Sequence, residues 1–364
     1  MTDNNKTRIV VGLSGGVDSS AAASLLVEQG YDVVGITLKV WPQDCVSRAE
    51  DKCCGPQAVM DARSVADKLD IPYYLVDESK EFQRDVIDYF AAEYKAGRTP
   101  NPCVMCNEKL KFGNLIDRAR KLGAEYVATG HYARLEHRDG RTVLLRGRDA
   151  RKDQTYFLFS LGQEQLAHMM FPLGELQKSE TREVARCVNL KTAEKQESQE
   201  ICFVPDKDYK KFLTTAGLVE EHRGEIVDTR GQVLGHHDGI EFYTIGQRKG
   251  LGISSPTPMY VIELDPENNR VVVGGEELLL RDEFRIDRCN WIAFDHLAKP
   301  IEASAAIRYN HPGTEATVIP GENGQATVKL REPQRAVTPG QACVFYQDDL
   351  VVGVNAFEED DQDP

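Results

Sequence analysis

The chain has 364 residues, 41% apolar and 28% charged, with a formal net charge of −14. That length exceeds what one hydrophobic core usually supports, and the acidic balance argues against holding nucleic acid by bulk charge, though not against a local basic surface. No apolar stretch reaches the roughly twenty residues of a membrane span, and the first residues are polar, so a cytoplasmic protein without a membrane partner is expected.

In chain order, an apolar run over 9–13 leads into Gly12-Leu13-Ser14-Gly15-Gly16-Val17-Asp18-Ser19-Ser20, followed by a helical pattern that stops at Gly30. A strand-to-helix turn of this kind is a phosphate site. Gly15 and Gly16 open backbone angles closed to other residues, and the helix start adds unpaired N–H donors and its dipole. The hydroxyls of Ser14, Ser19 and Ser20 are further donors. Asp18 would repel a bare phosphate, so its placement suggests that a cation lies between them: a magnesium–nucleotide complex, with Asp18 as metal ligand. No lysine lies between Lys6 and Lys39, so this is not a Walker A loop. It resembles instead the S-G-G-x-D-S signature of the PP-loop ATP pyrophosphatases, which cleave ATP between the α and β phosphates and place AMP on a substrate oxygen.

Short β runs then alternate with helical patterns: 33–40, 56–69, 73–76, 81–96, 110–122 ending at Gly123, and a buried run at 126–129 before Gly130. Such alternation predicts an α/β fold with a parallel sheet. Ligands bind at the carboxyl ends of its strands, which would bring Leu38 and Gly130 to the same nucleotide as residues 12–19. From about Gly224 the helical period is lost, and short β runs continue to residue 355, the last of them suggesting an antiparallel barrel. We expect a PP-loop catalytic domain over 1–204, a β-rich connector over 205–280, a C-terminal barrel over 281–357, and a disordered acidic tail over 358–364.

Nine irregularly spaced cysteines read as thiols, ligands or redox groups rather than a disulfide framework. Thr99-Pro100-Asn101-Pro102 precedes Cys103-Val104-Met105-Cys106-Asn107, so the prolines should present the Cys-x-x-Cys pair on a stiff loop ahead of a helix beginning near Glu108. There a thiol close to Lys109 or Lys111 would gain thiolate character; half of a zinc site, completed by Cys53 and Cys54, is the other reading. Cys202 lies in a short β-like run, where an ordinary buried cysteine is the plain reading. Between His131 and Lys152, seven Arg or Lys face three acids, a candidate phosphate-contacting surface formed by Arg134, Arg138, Arg141, Arg146, Arg148, Arg151 and Lys152.

T-P-N-P-x-x-x-C-N at 99–107, T-G-H-Y at 129–132, K-D-Q-T-Y at 152–156, Q-E-I-C-F at 199–203, F-Y-T-I-G-Q-R-K-G-L-G at 242–252 and T-P-G-Q at 338–341 accompany the loop. Together they resemble the tRNA-specific 2-thiouridylases, which install sulfur at C2 of the wobble uridine. The resemblance implies that Cys106 is the nucleophile and Cys202 the thiol that receives a persulfide sulfur, the two closing a disulfide in turnover. Asn101, Pro102 and Cys103 would touch the target base, while His131, Lys152, Asp153, Gln154, Arg308, Tyr309 and Gln341 would contact tRNA. A persulfide donor protein would be the second partner. Many family members carry aspartate where this chain has Cys103, which admits a different scheme: Cys103, Cys106 and Cys202 holding three corners of a four-iron four-sulfur cluster. Two further readings stand beside these: another PP-loop ligase using ammonia or an amine, and a non-catalytic nucleotide- or metal-binding RNA chaperone.

Overall fold

The computed structural model describes residues 6–40, 55–195, 201–204 and 208–357. Cys45, Cys53, Cys54, the Glu197–Glu200 stretch and the acidic tail lie outside the described residues. The chain divides into two compact units, one of Met1–Val86, Cys103–Phe203 and Asp349–Val351, the other of Ile87–Pro102, Val204–Asp348 and Val352–Pro364.

The first unit is built on five strands, β1 (Arg8–Gly12), β2 (Asp32–Lys39), β3 (Tyr73–Asp77), β4 (Tyr126–Ala128) and, beyond a hairpin, β7 (Met169–Met170), in the order β3-β2-β1-β4-β7. All four pairings are parallel. Ile9, Val10 and Val11 are fully buried, as a central strand covered on both faces requires. Helix α1 (Val17–Glu28) packs its small residues closely: Ala23 and Leu26 join β1 and α2 (Pro56–Leu69), while Ala21 and Ala22 meet Tyr132 and Leu173. The chain runs outward from β1 to β2 and β3, then returns to β4 on the other side of β1. This reversal is a topological switch point, where the carboxyl ends of β1 and β4 leave a crevice. The hairpin of β5 (Ala133–Arg138) and β6 (Arg141–Arg146) turns at Asp139-Gly140, both with positive φ, as a tight two-residue turn requires.

The expected helix from Glu108 begins earlier. Pro102–Met105 opens it, it widens to five-residue hydrogen-bond spacing over Cys106–Asn114, and it regains regular form over Leu115–Lys121; residues 102–121 are α3. Proline disfavours helix in the residue before it but suits the first helical position itself. Cys103 and Cys106 therefore lie on a helix and not on a loop.

The second unit contains the sheet β10-β11-β8-β9, formed by β8 (Gly224–Asp228), β9 (Val233–His237), β10 (Tyr260–Asp265) and β11 (Arg270–Gly274). It also contains a ring of strands: β12 (Leu280–Trp291), β15 (Ala326–Arg335), β14 (Thr314–Pro320), β13 (Ile301–Ala306), β16 (Ala342–Gln347) and β17 (Leu350–Phe357), which β12 closes by pairing with β17. Phe284, Ile286, Val318, Val328 and Phe345 fill its interior. β12 was not among the expected strands, because only Phe284 and Ile286 point inward from its charged first half.

Candidate active site

The loop after β1 is held by its carbonyls. The Thr37 hydroxyl donates to the Leu13 carbonyl at 2.6 Å, Lys195 Nζ to that of Gly15 at 3.0 Å, and the Ser20 hydroxyl to that of Gly16 at 2.7 Å. No side chain caps α1, so its leading N–H groups are left for an anion. Ser20 is buried and spends its hydroxyl on the i−4 carbonyl, which removes it from the expected phosphate donors. Ser14 and Ser19 brace each other, with their hydroxyl oxygens 3.1 Å apart and the Ser14 N–H donating to Ser19 Oγ.

Two glycines are steric requirements. Gly15 has φ +68°, and a Cβ there would lie 2.2 Å from the Ala58 carbonyl oxygen. Gly130, at the end of β4, lies against the start of α1, and a Cβ there would come within 2.7 Å of the Asp18 and Ser19 backbone. The structure thus brings Gly130 to the phosphate loop. Val17 opens α1, and Leu38 lies near the carboxyl end of neighbouring β2.

Asp18 already has its cation. Lys178 Nζ lies 2.7 and 2.9 Å from the two carboxylate oxygens, and the Tyr132 hydroxyl lies 3.0 Å from Oδ1. Lys178 opens α4 (Lys178–Cys187), with its backbone N–H donating to Asp149. Sequence reasoning missed Lys178, Lys195 and Tyr132 as parts of this site; the absence of any basic residue in the loop was the signal that one had to come from elsewhere.

The sequence motifs interlock in the first unit. Asn107, buried on α3 beside Cys106, donates from Nδ2 to the Phe157 carbonyl at 2.9 Å, tying the cysteine helix to the turn that follows Lys152-Asp153-Gln154. Gln154 accepts from the Tyr132 N–H through its side chain and donates its own N–H to the Tyr132 carbonyl. Asp153 is buried, with its carboxylate held by Gly147 and Thr155. Burial raises its pKa against these opposing hydrogen bonds. Asp153 and Gln154 therefore shape the loop that was expected to contact tRNA, while Lys152 lies half-buried on a pocket of about 500 Å³ walled by Arg148, Arg151 and Lys178.

His131 is half-buried between Phe112 and Phe171, with Nδ1 2.8 Å from the Thr129 hydroxyl. Desolvation, helped by the charge of Lys111, holds its pKa well below the ordinary histidine value. Cys103 is exposed and Cys106 and Cys202 are half-buried. Next to Cys202, Phe203 packs edge-on against buried Phe82, with ring centroids 5.7 Å apart. Among the described residues no three His, Cys, Asp or Glu side chains form a group that could hold a metal ion.

In the second unit Tyr309 is 40% exposed and Arg308 reaches the Arg335 carbonyl. Gln341, expected as an RNA contact, also holds the chain before Asn101. Its Nε2 donates to the Thr99 carbonyl at 2.8 Å, the Thr99 N–H donates to the Pro339 carbonyl at 2.9 Å, and Gly340 lies so close that a Cβ would meet Thr99 at 3.0 Å. Thr338-Pro339-Gly340-Gln341 grips the segment that leads into Asn101 and Pro102.

Three family models match consecutive parts of the chain: a tRNA methyl transferase HUP domain over 7–206, a tRNA methyl transferase PRC-barrel domain over 210–275, and an aminomethyltransferase beta-barrel domain over 281–355. The tRNA-specific 2-thiouridylase MnmA of Clostridium perfringens is 49% identical over 97% of this chain and 99% of its own length. That of Moorella thermoacetica is 51% identical over 96% and 99%. The methyltransferase wording of the domain descriptions sits beside relatives that match end to end and carry a thiolation name. With a phosphate loop at the switch point and identity of this order along nearly the whole length, the chain belongs to the tRNA-specific 2-thiouridylase family.

Proposed function

We propose that the protein is an ATP-dependent tRNA uridine 2-sulfurtransferase acting on the wobble uridine. The carrying observation is the phosphate loop itself, with carbonyls tied back and the first turn of α1 uncapped by any side chain, in a chain that also places two half-buried cysteines in the same compact unit. ATP binds at residues 12–19 with Leu38 and Gly130. One carboxylate, Asp18, suits a magnesium ion that arrives already held by phosphates, and that ion would neutralise phosphate charge there.

The uridine O2 takes AMP, which converts a poor leaving group into a good one. A persulfide donor protein loads Cys202, and the terminal sulfur displaces AMP from C2. Cys106 then attacks Cys202 Sγ, which releases 2-thiouridine and leaves a Cys106–Cys202 disulfide; a cellular thiol reductant supplies the two electrons that reset it. Asn101, Pro102 and Cys103 form one wall around the splayed base, and His131, Lys152, Asp153, Gln154, Arg308, Tyr309 and Gln341 position the RNA. Work on tRNA fits a cytoplasmic location, and the barrel over 281–357 assists in holding the substrate.

Unmodified tRNA incubated with the protein, magnesium–ATP and a persulfide donor should yield 2-thiouridine by nucleoside mass spectrometry, with one pyrophosphate per modified base. Cys106→Ser and Cys202→Ser should still release pyrophosphate yet form no 2-thiouridine. Cys103→Ser should keep most of the thiolation. Loss of activity in Cys103→Ser, together with iron-dependent thiolation from inorganic sulfide, would replace the persulfide relay by the cluster scheme. Pyrophosphate release with an amine incorporated, or none at all, would point to the ligase or the chaperone.

A further inference from the structure

The phosphate loop contains one acid and no base, yet it must hold a chain of phosphates and stabilise a departing pyrophosphate. Two lysines from elsewhere in the first unit reach it. Lys195 is committed to backbone and acid, donating to the Gly15 carbonyl at 3.0 Å and to Asp61 at 2.6 Å. That carbonyl is one of those held back from the ligand, so Lys195 sets loop shape. Lys178 differs. Its ammonium touches the Asp18 carboxylate in the first turn of α1, where the incoming phosphates must lie, and its side chain is only 12% exposed. Its ammonium is 5.6 Å from the Tyr132 ring centroid. Its backbone is fixed by Asp149, the acid of the pocket that Arg148, Arg151 and Lys152 also line.

We propose that Lys178 is the lysine of this phosphate site: it rests on Asp18 without nucleotide and engages the β and γ phosphates of bound ATP. This deepens the adenylation reading and rests on it for the reaction. In that step the uridine O2 bonds to the α-phosphorus and N3 gives up its proton to solvent. The bond from the α-phosphorus to its bridging oxygen breaks, and the electron pair leaves on pyrophosphate. Lys178 transfers no proton; it offsets the charge that builds on the leaving group. The sequence motif lacks the lysine because α4 delivers it from 160 residues away.

Binding separates this role from mere support of Asp18. Lys178→Met should weaken ATP by about tenfold to a hundredfold, the range for one charged hydrogen-bonding group, and leave AMP within about twofold. Lys178→Arg should recover much of the ATP affinity. Equal losses for ATP and AMP, or no loss for ATP, would overturn the assignment. If Lys178→Met folds poorly, reductive methylation of the wild-type protein mapped by mass spectrometry decides: ATP should slow modification of Lys178 while AMP should not, and equal rates with both would overturn it. None of these measurements uses tRNA. A failure to find 2-thiouridine would therefore count against the proposed function and leave the lysine assignment standing.

Discussion

The phosphate loop and the basic hairpin over 131–152 show opposite relations between the charge written in a segment and the charge present at a place. The loop has no cation in its own sequence and acquires two, Lys178 on Asp18 and Lys195 on the Gly15 carbonyl. The hairpin region has seven cations, and several are already taken: Arg134 by Asp349 and Glu175, Arg138 by Glu136, Arg146 by Asp153, and Arg148 by Glu180. Arg151 and Lys152 line the pocket. A count of basic residues along a segment therefore overstates an RNA surface and understates a nucleotide site, since each cation seeks its acid through space.

The harshest test of the loop side of this contrast is steric. Gly15→Val places a branched side chain at positive φ against the Ala58 carbonyl, and should abolish tRNA-dependent pyrophosphate release whatever the surrounding charges. Wild-type release would mean that backbone geometry does not set the site.

On the hairpin side, Arg151→Ala with Lys152→Ala should flatten the salt dependence of tRNA affinity by about 1.4 to 1.8 in the log–log slope, the value for two lost phosphate contacts. Arg134→Ala with Arg138→Ala, which removes cations already paired, should change it by less than about half of that. Equal slopes for the two pairs would erase the distinction between the cations of the hairpin ion pairs and those that line the pocket.

The smallest effect concerns His131, where the hairpin begins. Its folded pKa is depressed, so below the ordinary histidine value of about 6.5 the unfolded chain takes up a proton that the folded chain refuses. Its contribution is complete above that pH and is lost as pH falls, by at most about 1.4 kcal/mol per pH unit until the folded pKa is reached. Denaturant unfolding at pH 7.5, 6.5 and 5.5 should show the stability gap between wild type and His131→Asn shifting against the wild type on acidification. A constant gap would mean that the imidazole titrates alike in both states.

Much of the α/β architecture was legible because its signals are local. The Pro56–Leu69 helix starts on a proline and ends before a residue in the left-handed region, and β1 is a run of β-branched residues ending at glycine. Gly130 could be placed by the rule that ligands gather at strand ends. What was not legible depends on partners distant in sequence. Nothing near Lys178 marks it as a partner of Asp18, and nothing near Gln341 marks it as a partner of Thr99. The start of α3 was misplaced for a local reason, since Pro102 reads equally well as the end of a loop and as a first helical residue.

The grip of residues 338–341 on Thr99 also sets an order of events during synthesis. Ile87–Pro102 belongs to a compact unit whose remaining parts all begin at Val204 or later, and the residues that hold Thr99 follow it by about 240 positions. At roughly 5 to 20 residues per second, some 10 to 50 seconds of translation pass before Gln341 exists to bond it. During that interval the phosphate loop and its sheet can already be complete while the segment leading to Asn101 and Pro102 is not held. A ribosome-bound chain stopped before residue 338 should thus bind ATP and still be unable to present Asn101 and Pro102 to RNA. Pro339 and Gln341 act as a late latch on Thr99, one that closes only after the phosphate loop has been made.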